Sequence, residues 1–231
     1  MEFEFVIKVG GSLSRRRLIL EKLFKELAAI SQNHKFLVVP GGGPFADMVR
    51  SIYHKFDISE DTAHWMAVLA MDQMGFFFSN FHPNIKVVNK IEEARKISSG
   101  LIPVLIPSRI LFENDPLPHS WDVTSDSIAA YIAHATSTKK IFILTDVDGV
   151  FTFDPKSHPD AEFIPRISAE ELADKNVCTS VDKTFPSLVS KYKLECLVLN
   201  GKHPHRITQA LNNRKVKGTL IYCSALHESG N

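Results

Sequence analysis

Ten residues near the start of the chain, Phe3 to Ser12 (FEFVIKVGGS), constrain the fold more than any other stretch. Phe3, Phe5, Val6, Ile7 and Val9 alternate and then run together as apolar residues. Their short length and β-branched members read as a buried strand. Lys8 interrupts the run just before it ends, and Gly10, Gly11 and Ser12 follow before a helical pattern sets in. A strand, a glycine turn and a helix start make a cradle for phosphate. Bare glycine backbone lets N–H groups approach an anion, the helix start adds partial positive charge, and Lys8 adds a full one. The same residues also fit a tight strand-to-helix turn with a lysine snorkelling at the strand end, so this stretch alone leaves both readings open.

The residues that follow extend the pattern. Leu18, Leu20, Leu23, Phe24, Leu27 and Ile30 predict a helix over 15–32 with one buried face and with Arg15, Arg16 and Arg17 in a solvated first turn. Phe36 to Val39 is a second buried strand, which closes a βαβ unit and implies a parallel sheet. That strand runs into Pro40-Gly41-Gly42-Gly43-Pro44. Three consecutive glycines cost backbone entropy, so either a ligand or a second chain segment must come close. Pro44 suits the first turn of the next helix. On that helix, Asp47 and Arg50 form either a surface ion pair or contacts to a substrate, the arginine to an anionic part and the aspartate to a cationic or hydroxyl part.

Further on, Ser59-Glu-Asp caps a long helix carrying His64, Met66, Met71 and Met74, a pattern of core or of subunit interface. Phe76, Phe77, Phe78 and Phe81 at its end suggest a packed dimer interface. Strands are expected at 85–88, 103–106, 140–144, 195–199 and 218–222. Helices are expected at 91–97, from Thr124 or Ser125 to Ala135, after the capping box Ser168–Glu171, at 187–192 and at 206–211, while 111–120 reads as irregular and 151–164 as a hairpin excursion. Asp126 falls in the first turn of its helix, where the helix dipole alone accounts for it. Thr145-Asp-Val-Asp-Gly149 ends a central strand, the place where parallel α/β sheets bind ligands.

The totals exclude several classes. A chain of 231 residues with 44% hydrophobic and 23% charged residues fits one large α/β domain. A net charge of +1 gives no support for a nucleic-acid or bulk membrane partner. Cys178, Cys196 and Cys223 include no CxxC pair and fit a reducing cytoplasm, and the scattered histidines lack ligand spacing, so no protein-built metal site is expected. No basic leader precedes an apolar stretch, and no apolar run reaches the ~20 residues of a bilayer span. A dinucleotide oxidoreductase is disfavoured, because the first turn reads GGS where G-x-G-x-x-G is needed.

Taken in order, Lys8-Val-Gly-Gly-Ser12, Pro40-Gly-Gly-Gly43, Thr124-Ser-Asp126-Ser-Ile-Ala-Ala130, Thr145-Asp-Val-Asp-Gly149, Asn200-Gly201 and Gly218-Thr219 resemble the amino acid kinase family over nearly the whole chain. The resemblance implies a three-layer αβα sandwich around a mainly parallel sheet, as one domain over 1–231. It implies an acceptor-binding half over about 1–135 and a half over about 136–231 that binds ATP with Mg²⁺. It implies that Lys8 sits on the phosphates during transfer, that Gly10, Gly11, Gly42 and Gly43 offer backbone N–H groups, and that Asp126 orients the lysines. Ser12 joins the phosphate strap and Gly41 the acceptor loop. Thr145, Asp146, Asp148 and Gly149 line the nucleotide pocket with Asn200 and Gly201. Phosphoryl transfer needs in-line placement and charge compensation more than covalent help, and glycine loops with a lysine supply both.

One departure matters. The family commonly carries Gly-Gly-Met and then a second phosphate lysine, where this chain reads Cys178-Thr-Ser-Val-Asp-Lys183. Either Lys183 takes that role, or Asp182 acts toward Mg²⁺ or a cationic acceptor. Within the family, PGGGPFADMVR, AHWMAVLAMDQ and HSWDVTSDSIAA look most like the methanofuran-biosynthesis branch, whose acceptor is a phosphomonoester carrying an ammonium and an aromatic ring. That implies Arg50 on the phosphate, an acidic residue on the amine and Trp121 or Trp65 near the ring. Uridylate and isopentenyl phosphate kinases are the alternatives of the same class. A non-catalytic nucleotide sensor or storage protein is the alternative of another. A homo-oligomer is expected in each case.

Overall fold

The computed structural model describes residues 2–174 and 180–224. In chain order it contains β1 (Phe5–Val9), a 3-10 turn (Gly11–Arg15), α1 (Arg17–Ile30), β2 (Phe36–Pro40), α2 (Gly43–Phe56) and α3 (Glu60–Phe78). Next come β3 (Ile85–Val88), α4 (Ile91–Lys96), β4 (Ile102–Leu105), α5 (Ser108–Asn114), α6 (Ser125–Ala135) and β5 (Lys140–Thr145). The remainder holds β6 (Val150–Phe151), β7 (Phe163–Ile164), β8 (Arg166–Ser168), α7 (Ala169–Asp174), α8 (Phe185–Tyr192), β9 (Glu195–Asn200), α9 (His205–Leu211) and β10 (Gly218–Tyr222).

β1 lies inside an eight-stranded sheet of order β3-β4-β2-β1-β5-β9-β10-β8. It pairs in parallel with β2 on one side and β5 on the other, while β10 runs antiparallel to β9. Side chains alternate between the faces of a strand. Phe5, Ile7 and Val9 therefore pack with Leu20, Leu23, Phe24 and Leu27 of α1 and with Ile207 of α9. Val6 packs on the other face with Ile128, Ala129 and Ile132 of α6 and with Leu188 of α8. The fold is the αβα arrangement that the motifs imply. Lys8 shares the face of Val6 and is thereby sent toward α6. Among the described residues no helix is long and apolar enough to cross a membrane.

Several expectations needed correction. The chain leaves the first glycine turn through a single 3-10 turn, and α1 begins only at Arg17. Leu18, expected on the buried face, is 69% exposed because it lies on the opposite side of α1 from Leu20 and Phe24. The stretch expected to be irregular begins with α5, which starts at Ser108 although Pro107 offers no side-chain cap. The carboxylate of Asp72 on α3 accepts from both the amide and the hydroxyl of Ser108, so this helix is started by a distant residue. The capping box at Ser168 is present, with the Glu171 amide donating to its hydroxyl at 3.0 Å. The hairpin excursion is the two-stranded β6–β7 ribbon.

Candidate functional site

The carboxyl ends of β1, β2 and β5 carry the glycine loops to one edge of the sheet. Lys8 Nζ lies 2.7 Å from Asp126 Oδ1, and both side chains are under a tenth exposed. Asp126 Oδ1 is buried, and Lys8 is its charged partner. Charge holds the pair. Burial pushes the Asp126 carboxyl above its ordinary value, Lys8 pulls it back, and the neighbouring Asp182 adds to the rise.

Above this pair the two glycine loops meet. A Cβ on Gly11 would overlap the backbone of Gly43, and one on Gly41 would lie 2.8 Å from Gly11 N and 3.3 Å from Ser125 Oγ. Gly43 also holds φ at +54°, in the region that favours glycine. Gly10 donates its N–H to Leu144 O at 2.8 Å and Gly41 to Val9 O at 2.8 Å, so neither amide faces outward. Among the described residues the amides of Gly11 and Gly42 have no protein acceptor, which leaves them available to an anion.

Asp182 sits beside this centre as a clamp. Its carboxylate accepts from the Thr124 amide and hydroxyl (both 2.8 Å), the Ser127 amide (3.0 Å) and hydroxyl (2.5 Å), and the Phe185 amide (2.8 Å). The N-terminus of α6 is thus capped by Asp182 and not, as expected, by the side chain of Thr124 or Ser125. The clamp occupies both carboxylate oxygens. Lys183 turns outward, 80% exposed, and pairs with Asp122 at 2.9 Å. Cys178 and Thr179, at the start of the segment that departs from the family pattern, lie outside the described residues.

The end of β5 forms a second cluster. A cavity of about 170 Å³ is lined by Thr145, Asp146, Gly149, Lys156 and Ser180 among others. Asp146 pairs with Lys156 at 2.7 Å. Asp148 accepts from Arg206 (2.6 Å) and Asn200 (3.2 Å) and pairs with Lys217 (2.9 Å). Burial alone would raise its carboxyl, but Arg206, Lys217 and Asn200 outweigh burial and hold it at about 2. Gly201 donates to Thr145 O at 2.8 Å, which ties the β9 end to the β5 end. Gly149 has φ +149°, and a Cβ there would overlap the Thr219 hydroxyl. That hydroxyl in turn accepts from Val150 N and donates to Ile164 O, fixing the hairpin. Among the described residues the buried Ser180 hydroxyl on the cavity wall has no partner, which suits a polar ligand. Among the described residues no cluster of three or more acidic, histidine or cysteine side chains could hold a metal. Mg²⁺ commonly arrives on nucleotide phosphates with few protein ligands, and Asp146 beside the cavity fits that mode.

A third feature adjoins Gly42. A cavity of about 70 Å³ runs between α2, α3 and the start of α6, with Arg50, His64, Trp121 and Ser125 in its wall. A smaller one of about 20 Å³ shares His64, Ala67, Trp121 and Val123 and ends at Glu60 and Ser120. Arg50 lays its guanidinium 4.8 Å from the centre of the Trp121 ring, and Tyr53 meets that ring edge-on. Asp47 stays 69% exposed, 3.7 Å from Arg50, and is not in the wall. Trp65 stacks on Phe112 and meets His64 edge-on, and Trp121 is the tryptophan in the cavity wall.

His64 stacks on His119 at 4.3 Å. Both ring nitrogens of His119 lie 2.8 Å from carboxylates, Asp61 and Asp115. A neutral ring has one N–H, so only the imidazolium satisfies both. The hydrogen bond to Asp115 leads in raising His119, while burial first and then the charge of His119 lower His64. The slot therefore has a neutral histidine in its wall. A larger cavity, about 450 Å³, opens at the other end of β1 around Glu4, His34 and Lys35, away from the glycine loops.

The amino acid kinase family model matches residues 4–200. The chain belongs to the amino acid kinase family. It is 34% identical to a [5-(aminomethyl)furan-3-yl]methyl phosphate kinase of Methanocaldococcus jannaschii, over 90% of this chain and 93% of that one. It is 28% identical to the molybdenum storage protein subunit beta of Azotobacter vinelandii, over 95% and 86%. The crystal structure of uridylate kinase from Archaeoglobus fulgidus superposes with a TM-score of 0.73, at 23% identity, over 96% of this chain and all of that one, which speaks to the fold. The family and the 34% identical phosphate kinase make the protein a small-molecule kinase.

The structure brings Lys8, Asp126 and the two glycine loops together, and Thr145, Asp146, Asp148, Gly149, Asn200 and Gly201 at the neighbouring strand ends. It sets Lys183 and Asp47 outside both groups. Arg206, Lys217 and Lys156 around the aspartates, Ser180 in the cavity wall and Glu60 at the slot end were missed. Arg206 and Lys217 reach Asp148 from more than fifty residues away, so no local spacing marks them.

Proposed function

We propose that this kinase moves the γ-phosphoryl group of Mg·ATP to the phosphate of a small aromatic phosphomonoester, best matched by [5-(aminomethyl)furan-3-yl]methyl phosphate. The observation that carries the reading is the narrow slot walled by Arg50, Trp121 and His64, which opens beside Gly42 and Ser125. The 34% identity to the furan phosphate kinase supports the same acceptor. An acceptor phosphate oxygen attacks the γ-phosphorus in line, and the bond to the β–γ bridging oxygen breaks, so ADP leaves with that oxygen. Lys8 and the amides of Gly11 and Gly42 compensate the equatorial oxygens, with Gly10, Gly41 and Gly43 shaping the loops and Ser12 beside them. Asp126 orients Lys8. Thr145, Asp146, Asp148, Gly149, Asn200 and Gly201 bind ATP, with residues after about 135 as the nucleotide half and those before as the acceptor half. Arg50 and Trp121 receive the acceptor, with Asp47 steadying Arg50.

A second reading rests on Lys183. Since it points to solvent, Lys8 is the cation at the transfer centre among the described residues, and a nucleotide sensor or storage protein on this fold needs no second one. The exposed Leu69, Phe76, Phe77 and Phe112 support a homo-oligomer, which native mass decides, and the free thiols of Cys196 and Cys223 suit the cytoplasm.

ADP release from Mg·ATP, measured against the aminomethylfuran phosphate, UMP and isopentenyl phosphate, tests the proposal. Preference for the furan phosphate is expected. Preference for UMP or isopentenyl phosphate overturns the acceptor, and ATP binding without release in any arm favours the storage or sensor reading.

A further inference from the structure

The acceptor slot is polar at its two ends in opposite senses. At one end Arg50 carries a positive charge beside the glycine loop. At the other, Glu60 carries a negative charge. The two cavities share four wall residues and adjoin one another along α3, past Ala67, His64 and Glu60 in turn. Glu60 and Ala67 lie on one helix face, about 10 Å apart along the axis at 1.5 Å per residue. Flat rings, Trp121 and His64, stand between the charged ends. Among the described residues Glu60 has no ion-pair partner, whereas Asp61 and Asp115 are taken by His119 and Asp47 by Arg50.

We propose that Glu60 is the residue that recognises the ammonium of the acceptor, so that an aromatic phosphomonoester binds with its phosphate toward Arg50 and its aminomethyl arm toward Glu60. The inference rests on the acceptor reading given above and adds the direction of binding and the residue that selects for the amine. The neutral state of His64 serves the same selection, because a cation in the wall would repel the arm. His119 keeps its positive charge on the far side, between its two carboxylates.

The test compares kcat/KM for two acceptors, the aminomethyl-bearing aromatic phosphate and its analogue with a methyl group in place of the aminomethyl arm. Wild type, Glu60→Gln, Glu60→Asp and Asp47→Asn are assayed, with melting midpoint and ATP affinity recorded for each. An exposed ion pair contributes severalfold and one shielded by a bound ring contributes more, so wild type is expected to prefer the amine by about tenfold. Glu60→Gln brings the ratio close to one, and Glu60→Asp restores part of it. A ratio that survives in Glu60→Gln, or that collapses in Asp47→Asn instead, overturns the assignment while the acceptor reading stands. Turnover of neither compound by wild type overturns the acceptor reading and this assignment together.

Discussion

Lys8 is a charge placed where a strand would ordinarily carry an apolar side chain. Its face is fixed by the two-residue period of β1, and its partner by the register of α6 against that face. Replacing Lys8 with Ala removes one donor to the transferring group, and a loss of turnover of about 10²–10³ is expected. The fold is retained, because burial has already raised the Asp126 carboxyl and the acid takes a proton once the lysine is gone. Steady-state kinetics with a thermal melt checks both halves. Asp148 behaves in the opposite sense. Its carboxyl is depressed from 3.8 to about 2 in the fold, so it stabilises the protein above pH 4, and that stability is lost as the pH falls through 2. The difference is worth about 2 kcal/mol. Asp148→Asn is expected to lower unfolding free energy by about that amount at pH 7 and to flatten its dependence between pH 4 and pH 2, as read by denaturant titration.

At the level of elements, α6 is the member on which the site depends. It presents Ser125 and Asp126 to the glycine loops, yet its own sequence supplies no side-chain cap. Asp182 does so from 55 or more residues away, and the same carboxylate accepts the Phe185 amide at the start of α8. Hydrogen bonds to a charged group contribute about 1.5–3 kcal/mol each where they cannot be replaced by water. Asp182→Ala is therefore expected to destabilise the protein by about 3 kcal/mol and to lower kcat more than it raises the KM for ATP. Unchanged kinetics in a destabilised variant would confine Asp182 to a structural part. This element also marks what could be read from sequence. The bounds of α6, β1, β9 and β10 follow from period and breakers. The start of α5 at Ser108 does not, since Asp72 makes it. The ordering of α6 by Asp182 is equally invisible, since pairing at such separation leaves no local pattern. The motifs marked Lys8, Asp126 and the two glycine loops, which the structure brings together, whereas the slot was legible only as Arg50 and a choice between two tryptophans.

Across the whole molecule, one sheet edge carries in a row the three features to which we assign nucleotide binding, transfer and acceptor binding. The parallel order β2-β1-β5-β9 brings four carboxyl strand ends side by side, so loops separated by up to some 190 residues meet without any long connection crossing the site. The proposed reading places the acceptor phosphate at Gly11 and Gly42 and its body between α2 and α3. That proposal predicts a product with two linked phosphates, which distinguishes it from both a hydroxyl-directed kinase and a storage protein. The measurement that tests it most directly is ³¹P NMR of the reaction of Mg·ATP with the aminomethylfuran phosphate. Paired doublets of a new diphosphate monoester, growing as ADP forms, are the predicted result. An unchanged acceptor resonance with ATP intact, or with inorganic phosphate as the sole new signal, would contradict it.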